Sequence, residues 1–329
     1  MIPMQLPTGI GREGVMMGNS VIAERIFFIV GAPKAGTTWL ASSLAEHRDV
    51  HLSPVKEPHF FAPPAPRELG PVAVTDIDVW PQLAQHKWIH SGWIRDAGNY
   101  ERLLRAPQGK NVSGEATVVY LHAPEAARNI ATRFPDARII IMIREPIARA
   151  LSHFQMNLAG GRTTKRAESA LRHELECRRE GRTASSSYLG RSLYAEPLRR
   201  YLDVFGREQV LVLRFDDIAS APGTVLAQVQ QHLGISSGWA TAGGSDRKNS
   251  TRYTRWKWLN FLLVQTRIKN VARQVLPSVL INSGKRLLYT RQGSEVLSDQ
   301  CRTELRAFFK RDIEDTAALS GLDLASWLR

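Results

Sequence analysis

Apolar positions along this chain fall into two patterns. Near-continuous apolar runs occupy 26–30, 138–143 and 210–215. Such runs predict strands buried on both faces of a parallel sheet. Between them, apolar residues recur at helical spacing: at 40, 41, 44 and 45, at Ala126, Ile130 and Ala131, and through 198–205, 221–233 and 295–317. The residues between these segments punctuate them as helix rules require. Pro146 fits the first turn of a helix that starts after the 138–143 strand and ends at Gly160-Gly161, and Gly234 stops the 221–233 helix. A short helix is predicted from Tyr100, a strand end and turn over 112–117, and exposed helix and loop over the charged stretch 162–186. Strands alternating with helices, without internal repeat, predict an α/β fold: one doubly wound parallel sheet flanked by helices, with a helical C-terminal cap.

Two stretches break this rhythm. Residues 62–98 are rich in Pro and Trp (Trp80, Trp88, Trp93) and show no sustained period, which suits a lid over a substrate or a surface excursion packed on the core. Residues 252–291 interleave Arg and Lys with Trp256, Trp258 and Phe261. That block suits peripheral contact with an anionic membrane, and equally helices capping the sheet with their charges solvated. Residues 1–22 read as a flexible tail, which leaves 23–329 as a single domain.

Composition narrows the classes. A net charge of +13 over 329 residues suits polyanionic partners, such as nucleic acid, an anionic surface or phosphate- and sulfate-bearing ligands. No helix-turn-helix, zinc or RNA-binding signature accompanies the charge, so nucleic acid is not expected. The two cysteines, Cys177 and Cys301, form neither a disulfide framework nor a metal-ligand pattern. No metal is expected. No apolar run is long enough to span a bilayer and no signal peptide is evident, so a cytoplasmic protein is expected.

The candidate chemistry begins where the first strand ends. Gly31-Ala32-Pro33-Lys34-Ala35-Gly36-Thr37-Thr38-Trp39 joins the strand to a helix. Unpaired N–H groups at a helix start make an anion site. The spacing of Gly31, Gly36 and Thr38 is P-loop-like, but Thr37 stands where a nucleotide P-loop has lysine, and the lysine lies within the loop at Lys34. A charge there sits at the loop's mouth, beside a group leaving the phosphate.

This loop resembles the 5′-phosphosulfate loop of sulfotransferases that use 3′-phosphoadenylyl sulfate (PAPS). The resemblance runs from about residue 24 to the end of the chain. It implies that Lys34, Ala35, Gly36, Thr37 and Thr38 hold the 5′-phosphate and that Trp39 packs on adenine. It also implies a 3′-phosphate site of Arg144 at a strand end with Ser152 on the next helix. An Arg fork and a hydroxyl suit a phosphate. Lys56-Glu57-Pro58-His59-Phe60-Phe61 is similar to the acceptor-side motif of the heparan-sulfate-type branch, which implies Glu57 as general base and His59 as a helper. Ala62 replaces the Asp found in several relatives, and Phe215 replaces a frequent Tyr. Gly114-Glu115-Ala116-Thr117 resembles a further family segment, in which Glu115 would orient a lysine or substrate. Arg247, Lys248 and Asn249 resemble the loop that closes over the nucleotide.

The resemblance implies in-line sulfuryl transfer to a hydroxyl or amine of a carbohydrate, lipid or natural product, releasing PAP (adenosine 3′,5′-bisphosphate). Two other readings stay open. A small-molecule kinase would need Asp216 to hold Mg²⁺. A non-catalytic anion-binding protein would need only the charge. Oligomeric state is not legible.

Overall fold

The computed structural model describes residues 21–23, 25–62, 73–85, 88–182, 187–236, 253–254, 289–290 and 296–329. Arg247, Lys248, Asn249 and nearly all of the 252–291 block lie outside them.

Five parallel strands form the central sheet: β1 (Arg25–Gly31), β2 (Val50–Leu52), β3 (Val112–Ala116), β4 (Arg138–Ile143) and β5 (Val210–Arg214). Their order is β2-β3-β1-β4-β5, so β1 is central, paired with β3 on one side and β4 on the other. Continuous apolar runs form these strands because both faces are covered: Phe27, Phe28, Ile29 and Val30 are fully buried, as are Ile139 and Ile140. Each such side chain contributes about 2–3 kcal/mol of burial free energy. Gly114 is set by packing, since a Cβ there would lie 2.5 Å from the Phe27 ring.

The helices run beside the sheet: α1 (Thr37–Ala45), α2 (Ala97–Leu104), α3 (Ala126–Arg133), α4 (Pro146–Ala159), α5 (Ala167–Arg179), α6 (Ala195–Phe205), α7 (Phe215–Ser220), α8 (Pro222–Leu233) and α9 (Asp299–Ser320). Pro146 opens α4, and Gly234 ends α8 in the left-handed conformation at φ 61°. Differences from expectation are local. The helix expected from Tyr100 begins three residues earlier, because the Asp96 carboxylate caps it by accepting from Asn99 N–H. Phe215, expected in a strand, opens α7. In the stretch expected to be exposed, α5 buries Ala170, Leu171, Glu174 and Leu175.

The Pro/Trp-rich stretch has local order. Residues 88–94 run beside 54–58: Val55 and Ile89 form a parallel bridge, Gly92 N–H donates to Glu57 O at 2.8 Å and Ile94 N–H to Pro58 O at 2.9 Å. Strand Val74–Thr75 pairs in turn with Gly92–Trp93. At the other end, Val21–Ile22 pairs antiparallel with Arg105–Ala106. Among the described residues no helix is long and apolar enough to cross a membrane.

Candidate active site

The β1–α1 loop, the segment after β2 and the β4–α4 turn all lie at the carboxyl edge of the sheet, where open α/β folds bind ligands. The loop is a tight turn. Ala35 N–H donates to Ala32 O at 3.2 Å, with Pro33 and Lys34 as the central residues. Lys34 takes φ 72°, the position that glycine usually fills in a type II turn. Gly36 follows at φ 89° as the N-cap of α1, and a Cβ there would lie 2.6 Å from Ile218 Cδ1.

Helix α1 has no side-chain cap. Trp39 and Leu40 N–H close onto Gly36 O, at 2.9 and 3.2 Å. The N–H groups of Gly36, Thr37 and Thr38 come before the first intrahelical bond and are the orphan donors that an anion takes up. Helix α4 shows the contrast. Its N-terminus is closed by its own residue, Glu145, whose carboxylate accepts from Ile147 N–H at 2.9 Å and Ala148 N–H at 2.6 Å. Of these two helix starts at the sheet edge, that of α1 is the open one. Trp39 is half-buried against the core.

Arg144 donates to the Lys34 carbonyl at 3.2 Å and lies over the Phe215 ring, 4.3 Å from its centroid. Phe215 thus stacks on Arg144 where a tyrosine would offer a hydroxyl. Ser152 is buried on α4, and its hydroxyl takes no partner among the described residues. Burial lowers the Lys34 ammonium below its ordinary value, and the cations Arg144, Lys56 and Arg149 lower it further. An anion bound among them would reverse that.

Lys56 links this cation cluster to the carboxylate expected on the acceptor side. Its Nζ lies 3.0 Å from Glu57 Oε1, with side-chain exposures of 7% and 20%, so the pair is mostly buried rather than a surface contact. His59 sits at φ 54° and is buried. Its Nδ1 is 2.8 Å from the Gly92 carbonyl, which can only accept, so Nδ1 carries the proton. Nε2, 3.7 Å from Glu57 Oε2, is left as an acceptor without a well-formed hydrogen bond. Burial lowers the His59 pKa, and Glu57 works against that. The arrangement is a carboxylate and a neutral imidazole side by side, both able to accept a proton from a hydroxyl.

Glu115 differs from expectation. Its carboxyl turns inward, taking the Tyr100 hydroxyl at 3.1 Å and the Thr117 hydroxyl at 2.5 Å. Burial pushes its pKa up to about 7. Asp216 accepts from Trp327 Nε1 at 3.3 Å and acts on Arg144, a cationic setting unlike a magnesium site.

Sequence reasoning assigned no role to Lys56, Arg149 or Arg191. Arg149 is a buried cation whose charge acts on Lys34, and Arg191 is a half-buried cation whose charge acts on Glu57. A signal existed for Arg149, three residues before Ser152 and so on the same face of α4.

An uncapped helix start after a central parallel strand, a ring of cations and a nearby carboxylate define an α/β enzyme-type anion site. Comparison with known proteins gives the family. The description "Sulfotransferase family" matches residues 27–240. The chain belongs to that sulfotransferase family. It is 27% identical to carbohydrate sulfotransferase 15 of Mus musculus over 252 residues, covering 64% of this chain and 43% of that protein. It is 27% identical to heparan sulfate glucosamine 3-O-sulfotransferase 3A1 of Mus musculus over 210 residues, covering 63% of this chain and 45% of that protein. The matches thus span less than half the length of either mouse protein. Among solved structures, a sulfotransferase from Alicyclobacillus acidocaldarius aligns over 94% of this chain and 100% of its own, at a TM-score of 0.62 and 29% identity.

Proposed function

We propose that this chain transfers a sulfuryl group from PAPS to a hydroxyl or amine of a carbohydrate-type acceptor and releases PAP. The observation that carries this reading is Lys56, which sits between the loop cations and Glu57 and so brings the donor and acceptor halves to one place. The 5′-phosphate of the donor is held by the N–H groups and hydroxyls of Thr37 and Thr38. The 3′-phosphate is held by Arg144 and Ser152, and adenine by Trp39. Glu57 takes the proton from the acceptor group, whose oxygen or nitrogen bonds to sulfur while the bond from sulfur to the 5′-phosphate oxygen breaks. Lys34 neutralises the charge that develops on that oxygen. His59, with Nε2 open beside Glu57, orients the attacking group. As in phosphoryl transfer, positioning and electrostatics do most of the work.

Residues 88–94, within the stretch expected as a lid, act as the acceptor-side wall, since they hydrogen-bond directly to the Glu57 segment. The carbohydrate acceptor class follows the substrates named in the two mouse relatives.

The test is a melting series with 1 mM PAP against 1 mM ATP–Mg²⁺, followed by transfer from PAPS to a panel of glycans. A ligand at about 100 times its Kd stabilises by about 2.7 kcal/mol. A shift with PAP alone, then sulfated product, is expected. A shift with ATP–Mg²⁺ alone would sink the reading and favour a kinase.

A further inference from the structure

Arg149 is fully buried on α4, five residues after Arg144, and the chemistry above does not use it. Its Nε donates to Ser192 Oγ at 2.6 Å, Nη1 to the Pro33 carbonyl at 3.3 Å, and Nη2 to the Tyr188 carbonyl. All three are neutral oxygens. A guanidinium taken fully out of water ordinarily needs a carboxylate beside it. The carboxylate in the neighbourhood, Glu174, spends its oxygens on Tyr188 N–H (2.6 Å), Gly190 N–H (3.0 Å) and Arg178 Nε (3.2 Å). The turn at 188–192 is therefore clamped from two sides. Glu174 takes its N–H groups, and Arg149 takes a carbonyl and a hydroxyl.

The two ends of this clamp reach the two halves of the site. At one end is Pro33, on the crest of the glycine loop. In a trans peptide the carbonyl and the following N–H point in opposite directions. With the Pro33 carbonyl drawn inward to Arg149, the Lys34 N–H is turned the other way, and the neighbouring Lys34 carbonyl is held by Arg144. At the other end is Arg191, on the clamped turn, whose charge acts on Glu57.

We propose that Arg149 is a positioning residue of the anion site: it fixes the crest of the glycine loop and ties that loop to the turn carrying Arg191, so that the donor and acceptor halves are held as one body. The inference rests on the sulfotransferase reading for the identity of the ligand. The geometry of the clamp does not depend on it.

The test uses the full chain with Arg149→Met, Arg149→Lys and Ser192→Ala, each checked for folding by circular dichroism. Kd for PAP and for inorganic pyrophosphate is measured by calorimetry, and kcat and KM with PAPS. Arg149→Met should weaken both anions and lower kcat by about 10- to 100-fold each, the scale of a misplaced site. Arg149→Lys should recover affinity but not kcat, because a point charge cannot make the three-way fork. Ser192→Ala should lower kcat in the wild-type background and do nothing further in Arg149→Met, since the two share one contact.

A folded Arg149→Met chain with wild-type Kd and kcat overturns the proposal, and so do additive effects of Ser192→Ala and Arg149→Met. Should Arg149→Met not fold, the Arg149→Lys split decides: affinity kept with kcat lost supports the proposal, and unchanged kcat overturns it. A wild-type chain that binds pyrophosphate but ignores PAP refutes the transferase reading alone, and the pyrophosphate titrations then decide Arg149. A wild-type chain that binds neither overturns both.

Discussion

Replacing Lys34 by Gly and, separately, by Ala separates two demands on one residue. Lys34 holds φ 72° at the crest of the loop. A side chain in the left-handed region costs about 1–2 kcal/mol, from the clash of Cβ with the backbone. At an ordinary position glycine is less stable than alanine by about 0.5–1 kcal/mol, because it loses more freedom on folding. At Lys34 the first effect outweighs the second, so the usual order inverts: Lys34→Gly should be more stable than Lys34→Ala by about 0.5–1 kcal/mol. Both variants also remove an ammonium that burial and three neighbouring cations disfavour, so neither should fall below the wild type in the absence of ligand. Urea denaturation of the two variants side by side measures the difference, and the change in midpoint at constant m is the readout. Turnover should fall in both by about 10²–10³, the cost of removing one donor from a developing oxyanion. An alanine variant as stable as the glycine variant would refute the strain argument. A variant that keeps kcat would refute the placement of Lys34 at the leaving oxygen.

Two further outcomes follow from the same geometry. Glu57→Gln keeps the shape of the cleft and removes the base, so kcat should drop by about 10²–10⁴ while PAP affinity stays within about twofold; retained turnover would move the base elsewhere, with His59 Nε2 next in place. Glu115 titrates at about 7 in the folded chain against an ordinary 4.5. Between those values the folded chain keeps a proton that the unfolded chain has released, so Glu115 stabilises below the window and loses that contribution as pH rises through 7. Glu115→Gln does not titrate; its stability relative to wild type should therefore rise by about 3 kcal/mol from pH 4 to pH 8. A pH-independent difference between the two would show that the carboxyl is not buried as described.

The framework of the fold was legible because each strand carries its own signal. Runs such as 139–143 are apolar on both faces, and Pro146 and Gly234 mark a start and a stop that local chemistry alone dictates. The loop and the Glu57 motif were legible as residues, but not as a site. Among the described residues, Lys34 and His59 are the non-glycine positions with left-handed backbone, and both lie at the site. Nothing in a lysine or histidine announces that conformation, because the surrounding structure imposes it. The pairing of 88–94 with 54–58 was hidden for another reason: a short parallel contact between irregular segments leaves no periodicity. Glu174 falls in the 162–186 stretch expected to be exposed, and nothing in the sequence marks Arg149 as buried, because charged helix residues usually face solvent. Only the turn at 188–192 makes their burial tolerable, and that turn comes from a distant part of the chain.

The placement of these charges carries the functional argument further than their number. Carboxylates act on the guanidiniums of the cluster from within the fold, among them Glu145 on Arg144 and Glu174 on Arg149. Glu145 is occupied by backbone N–H groups at the start of α4, and Glu174 by the turn at 188–192. The guanidiniums in turn rest on carbonyls, a hydroxyl and an aromatic ring: Arg144 on the Lys34 carbonyl and Phe215, Arg149 on Pro33, Tyr188 and Ser192. Neither carboxylate pairs directly with Arg144 or Arg149: Glu145 holds backbone N–H groups, and Glu174 holds backbone N–H groups and Arg178. Neutral partners meet the hydrogen-bonding needs of a guanidinium without quenching its charge, whereas a carboxylate would do both. The cluster therefore keeps its positive potential for a ligand. In a site of low dielectric that potential is strongest where an anion can replace the missing carboxylates. Glu57 is paired with Lys56 rather than with Lys34, Arg144 or Arg149, a placement that suits the base proposed for the acceptor.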